Sequence, residues 1–110
     1  MTRAYELMVI LDGDLEDAAA QSLVASLADT IGKAGGQLHG KPDFWGRRQF
    51  AYQINKKEHG YYVVYQLLAE GGALDDFERS LRIADNIVRH KLVRLPELEA
   101  VRRGVVGSAA

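Results

Sequence analysis

Apolar and polar residues alternate most clearly in the middle of the chain. In Trp45-Gly46-Arg47-Arg48-Gln49-Phe50-Ala51-Tyr52-Gln53-Ile54-Asn55, the apolar positions Phe50, Tyr52 and Ile54 recur every second residue. A period of two predicts a half-buried strand, with one face on a core and one in solvent. Gly60-Tyr61-Tyr62-Val63-Val64-Tyr65-Gln66-Leu67-Leu68 predicts a second strand. The polar link Lys56-Lys57-Glu58-His59-Gly60, closed by glycine, predicts a hairpin turn between them. Upstream, Tyr5, Leu7, Val9 and Leu11 share one face of a strand and Glu6, Met8 and Ile10 the other. So continuous an apolar run suits a central strand.

Between these strands the period changes. Asp12-Gly13-Asp14 turns the chain, and Asp14 has the side chain of an N-cap. From Leu15, Ala19, Leu23 and Leu27 form one row, with Ala20, Val24 and Ile31 near it, which predicts an amphipathic helix of about four turns. Gly32, Gly35 and Gly36 end it, with Lys33 at its negative pole. A strand then starts at Gln37-Leu38-His39-Gly40 and is interrupted by Lys41-Pro42-Asp43. Pro42 and Gly46 together mark an edge strand. After Glu70-Gly71-Gly72, the spacing of Leu74, Phe77 and Leu81 predicts a short helix, with Asp75 and Asp76 at its positive end and Arg79 and Arg82 at its negative end. The last strand spans Asn86 to Leu95, before Pro96.

The order β-α-β-β-α-β is the ferredoxin-like, split βαβ arrangement, an α+β sandwich. It places two helices on one face of a four-stranded antiparallel sheet and leaves the other face open. Residues 1–95 form this domain, and 96–110 are expected to be a loosely held tail. At 110 residues and 47% hydrophobic content the chain suits one modest core. It has no cysteine, so disulfides, thiolate metal sites and cysteine nucleophiles are excluded. No apolar run approaches the ~20 residues of a membrane helix, and the N-terminus has no signal-peptide pattern. A soluble, cytoplasmic protein is expected. The net charge of −1 gives no overall pull toward nucleic acid. Yet Asp12, Asp14, Glu16, Asp17 and Asp29 lie early, whereas Arg47, Arg48, Lys56 and Lys57 cluster mid-chain and Arg79, Arg82, Arg89, Lys91 and Arg94 lie late. Such a distribution can give a neutral protein a basic face.

The segment Gly46-Arg47-Arg48-Gln49-Phe50-Ala51-Tyr52-Gln53-Ile54-Asn55 resembles the signature of the bacterial small-subunit ribosomal protein six family. Three further pieces match in the same order. They are Arg3-Ala4-Tyr5-Glu6, Gly60-Tyr61-Tyr62 with Tyr65-Gln66, and Leu81-Arg82-Ile83-Ala84-Asp85-Asn86-Ile87-Val88-Arg89. Phe50 stands where the family usually has leucine, and Gln53 where many members have proline. The resemblance implies a ribosome-bound structural component of the small subunit, without enzymatic activity or cofactor. It implies binding to small-subunit ribosomal RNA in the central domain, as a heterodimer with small-subunit ribosomal protein eighteen, and no membrane or small-molecule partner. The residues then expected to touch RNA or partner are Arg3, Tyr5, Arg47, Arg48, Lys56, Lys57, Arg82, Arg89 and Lys91. Arg47 and Arg48 point to opposite faces of one strand, so only one of them can meet a given partner directly. Arg89 and Lys91 share a sheet face with Ile87 and Val93, most simply the open one, where binding and plain solvation compete.

Two other readings have residues behind them. Gly60-Tyr61-Tyr62-Val63-Val64-Tyr65 echoes the aromatic strand of an RNA-recognition motif, which would make this an independent single-stranded RNA binder. Tyrosine beside valine in a central strand is more often core packing. Some ferredoxin-like domains are small enzymes, but His39, His59 and His90 lack metal-ligand spacing, and Ser22 and Ser26 lie on a helix without a base near in sequence. The acidic Asp12-Gly13-Asp14 turn would repel phosphate, and no nucleotide-binding glycine loop is present.

Overall fold

The described residues, 2–54, 56–96 and 102 of a computed structural model, form five strands and two helices. In chain order these are β1 (Thr2–Asp12), α1 (Asp17–Lys33), β2 (Gln37–Leu38), β3 (Asp43–Ile54), β4 (Lys57–Glu70), α2 (Asp75–Ile83) and β5 (Ile87–Arg94). The sheet is antiparallel, with β1 between β4 and β5 and with β2 and β3 both paired to the far side of β4. This is the ferredoxin-like sandwich, its expected single edge strand split in two around Lys41-Pro42. The tail expected from residue 96 lies, apart from Pro96 and Arg102, outside the described residues.

The main core lies between the sheet and the helices. Leu7, Val9 and Leu11 of β1 and Tyr61, Val63, Tyr65 and Leu67 of β4 meet Ala20, Val24, Leu27 and Ile31 of α1 and Phe77 and Leu81 of α2. Tyr65 has no exposed surface, and its hydroxyl donates to the Val24 carbonyl at 2.8 Å. Tyr61 donates in the same way to the Leu15 carbonyl at 2.8 Å. Tyr65 therefore ties α1 to β4, and Tyr61 ties the turn before it, which favours the core-packing role over base stacking.

Several local expectations are corrected. The N-cap of α1 is Glu16, not Asp14. Asp14 is drawn into an Asx turn instead, its N–H donating to Asp12 Oδ1 at 3.0 Å. Starting the helix at Asp17 leaves Ala19 exposed and puts Ala20 inside. The C-terminus closes as a Schellman motif, with Gly36 N–H bonded to the Ile31 carbonyl, Gly35 N–H to that of Gly32, and Gly35 at φ 98°. The hairpin is tighter than its polar sequence suggests. Ile54 pairs with Lys57, and Lys57 to His59 are strand. Lys56 carries the positive φ, 65°, that so short a turn requires. A register shift between Gln49 and Ile54 breaks the alternation, so Phe50 is buried while Tyr52 is 74% exposed.

Candidate nucleic-acid interface

Antiparallel partners share a face, so the register defines the side away from the helices. It carries Glu6, Met8 and Ile10 from β1, Tyr62, Val64 and Gln66 from β4, and Arg89, Lys91 and Val93 from β5. A bulge between Ile10 and Leu11 shifts β5, so Ile87 packs with the main core and not beside Arg89 as the simple alternation predicts. At the lower end Ala4, Leu68 and Leu95 form a small separate cluster on this side.

β3 adds an aromatic arm to the open face. Gly46 pairs with Tyr62 while Phe44 pairs with Val63, so Trp45 is the extra residue of a bulge. Gly46 takes φ 85°, a conformation glycine adopts without strain. The bulge turns neighbouring rings to opposite sides. Phe44 stacks on Tyr61 under the helices at 5.9 Å, whereas Trp45 stacks on Tyr62 at 5.8 Å with ring planes 5° apart. Phe50 meets Tyr62 edge-on at 6.1 Å. It fits because Gly60 below has no side chain, since a Cβ there would lie 2.9 Å from the Phe50 ring.

The two arginines diverge as expected for adjacent strand residues. Arg48 holds its guanidinium carbon 5.9 Å from the centre of the Trp45 ring, a cation–π geometry on the open face. Arg47 pairs across to Tyr61 and hydrogen-bonds the His59 ring. His59 Nε2 in turn lies 3.6 Å from Asp14 Oδ1. Lys57 closes this cluster, 3.2 Å from Asp12 and 3.3 Å from Asp14. The Asp14 N–H, and after it Lys57, hold the Asp12 carboxyl below its usual range, against some opposition from burial. The two acids in turn raise Lys57. Gly13 is needed here, because a Cβ would overlap the His59 ring. The turn end of the hairpin is thus tied to the turn before α1.

The nine expected contact residues therefore fall into separate places. Arg48, Arg89 and Lys91 share the open face, and among the described residues none of them makes an ion pair. Lys56 is exposed at the hairpin tip. Arg47 and Lys57 belong to the cluster at the turn end of the hairpin. Tyr5 is half-buried against the main core. Arg3 runs beside Gly71, its Nε 3.6 Å from where a Cβ would be. Arg82 is exposed on the last turn of α2, on the helix side. Trp45 was not among the expected contacts. It is the one tryptophan of the chain and precedes a glycine and two arginines, which was the available signal.

The histidines are dispersed: His39 is exposed beyond β2, His59 sits near the turn end of the hairpin, and His90 lies half-buried against Glu78 of α2 at 3.1 Å. Among the described residues no three His, Asp or Glu side chains converge as a metal site would require.

A model of the family described as ribosomal protein S6 matches residues 4–94. The chain belongs to the ribosomal protein S6 family. "Small ribosomal subunit protein bS6" of Salinispora arenicola is 42% identical over 96 residues, covering 87% of this chain and 98% of that protein. The bS6 protein of Carboxydothermus hydrogenoformans is 39% identical over 94 residues, covering 86% and 97%. In structure the chain is similar to 30S ribosomal protein S6 from Thermotoga maritima, with a TM-score of 0.83 and 28% identity over 96% of this chain and 98% of that one. As an S6 family member it is a protein of the small ribosomal subunit.

Proposed function

We propose that this S6 family member binds small-subunit ribosomal RNA in the central domain, as a heterodimer with small-subunit ribosomal protein eighteen, and acts as a non-enzymatic, ribosome-bound assembly component in the cytoplasm. Family membership across residues 4–94 carries this reading. The open face supports it, since Arg48, Arg89 and Lys91 are cations beside exposed aromatic surface, the residue types that neutralise phosphates and stack on unpaired bases. Among the described residues β3 is a sheet edge, paired to β4 alone, which gives a partner protein a place beside the RNA-facing surface.

The test is binding to a central-domain fragment of small-subunit ribosomal RNA, with and without the partner protein, across salt. Tight binding only with the partner, falling steeply as salt rises, is expected. Tight binding by the isolated chain would favour an independent RNA reader, and no binding in either case would refute the proposal. Reversing Arg47 and Arg48 together to glutamate should weaken assembly while leaving the thermal melt by circular dichroism nearly unchanged. A collapsed melt would make the pair structural.

A further inference from the structure

We infer that Trp45, Tyr62 and Arg48 form a stacking platform for one unpaired nucleobase, with Arg89 and Lys91 placed to hold the adjoining phosphates. This rests on the RNA-binding reading and names the ligand of its open face. A tryptophan stacked flat on a tyrosine would normally be buried, yet Trp45 is 43% exposed. The guanidinium of Arg48 lies over the Trp45 ring, and Trp45, Arg48, Gln49 and Tyr62 line an open depression of about 390 Å³. Gln49 brings an amide that can donate to or accept from a base edge. Flat aromatic and guanidinium surfaces with a polar rim suit a planar heterocycle, whose π-face stacks whatever its identity.

The charges lie where a nucleotide chain would need them. Tyr62 pairs with Ile10, and Ile10 pairs with Arg89, so these three form one row across the sheet. Two strand spacings separate Tyr62 from Arg89, about 10 Å, within the reach of a nucleotide and its neighbouring phosphate. Tyr62 also walls a second depression of about 300 Å³ that includes Met8, Ile10, Ile54, Arg89 and Lys91, so platform and cations share one surface. Acids share this side: Asp43, opposite Val64, accepts from the Trp45 indole N–H at 2.9 Å, Glu58 lines a depression with Arg48 and Gln49, and Glu6 lies four residues from Ile10, toward Val93. Arg48, Arg89 and Lys91 make no ion pair among the described residues, and cations left unpaired beside an aromatic surface favour RNA over a protein partner.

Because Trp45 is the one tryptophan, its fluorescence reports this platform without labelling. The full-length chain is titrated with single-stranded hexaadenylate and, separately, with an abasic hexamer carrying the same phosphates. Hexaadenylate should quench Trp45, and the abasic strand should not. Trp45→Ala, read by anisotropy of labelled hexaadenylate, should bind roughly 5- to 150-fold more weakly, and Arg48→Gln should reduce the quenching. Arg89→Ala with Lys91→Ala should shallow the salt dependence by about two phosphates. Hexaadenylate without effect on Trp45 up to millimolar concentration, or equal quenching by the abasic strand, would overturn the proposal. So would a shift of Trp45 emission on adding the partner protein that then blocks hexaadenylate, which would assign the platform to a protein contact. If the ribosomal RNA fragment binds with its partner while hexaadenylate leaves Trp45 silent, the platform falls and the ribosomal reading stands.

Discussion

Replacing Tyr65 by phenylalanine tests whether the central strand's tyrosine anchors α1 or merely sits beside it. The side chain has no exposed surface, and its hydroxyl donates to the Val24 carbonyl at 2.8 Å. Phenylalanine keeps the ring and opens almost no cavity, so the neutral-pH cost is one hydrogen bond, about 0.5–1.5 kcal/mol. Burial also pushes the phenol well above its ordinary value of 10.0. The unfolded chain then ionises near pH 10 while the native state keeps its proton. Above that pH the unfolded state binds fewer protons, so stability falls as pH rises, by up to about 1.4 kcal/mol per unit. The contribution is complete below pH 10 and is lost above it. By about pH 11 the loss is roughly 1.4 kcal/mol, comparable with the hydrogen bond itself. Urea midpoints of wild type and Tyr65→Phe, measured from neutral to alkaline pH, should differ at neutral pH and converge near pH 11. A gap that stays constant over the whole range, or is absent at neutral pH, would refute the anchor and return Tyr65 to the list of possible base contacts.

Leu27 is buried under α1. Leu27→Ala should cost about 2–5 kcal/mol in urea denaturation, and an unchanged midpoint would remove α1 from the core. A Cβ at Gly60 would meet the Leu11 carbonyl oxygen at 2.7 Å and Ile10 Cγ2 at 2.8 Å. Gly60→Ala should therefore lower stability by about 1–3 kcal/mol, whereas an unaltered thermal midpoint would mean that the sheet yields there. Asp12 has a carboxyl held below its usual range, chiefly by the Asp14 N–H and then by Lys57. It stabilises the fold above about pH 3.9 and loses that contribution as pH falls through the lower native value. Asp12→Asn should flatten the acid limb of a circular-dichroism pH titration, and superimposable limbs would show that the turn tolerates either state.

The fold was legible because its periods are strong. Leu7, Val9 and Leu11, Val24, Leu27 and Ile31, and Leu74, Phe77 and Leu81 all face the core as their spacing predicts. What the spacing hid lies at irregularities, where one residue more or less reverses which face a side chain meets. The bulge at Trp45 and Gly46, the register shift around Phe50 and Tyr52, and the bulge opposite Ile87 all belong to this kind. Asp14 was misread for a related reason. An acid after a glycine turn fits an N-cap, but Lys57 and His59 arrive from 43 and 45 residues away in sequence and hold that carboxylate at the turn end of the hairpin. A local pattern carries no trace of so distant a partner.

The same long-range pairing explains how a chain of net charge −1 can present a basic surface. Acids and cations are not mixed at random over the described residues. Asp12 and Asp14 take Lys57 and approach His59, Asp76 takes Arg79, and Glu78 takes His90. Each of these pairs lies at the turn end of the hairpin or on the α2 side. On the open face Arg48, Arg89 and Lys91 make no such pair among the described residues. That side also carries acids, Asp43 at the Trp45 N–H and Glu6 toward Val93, but the acids paired with cations lie elsewhere and leave these three cations available to an anion. Salt should consequently weaken RNA binding far more than it weakens the fold, since phosphate contacts release counterions whereas the core is held by apolar burial. Parallel titrations of binding and of the urea midpoint against sodium chloride decide it. If the two fall together, the ion pairs at the turn end of the hairpin hold the domain as well as shape its charge, and the division between paired acids and binding cations is wrong.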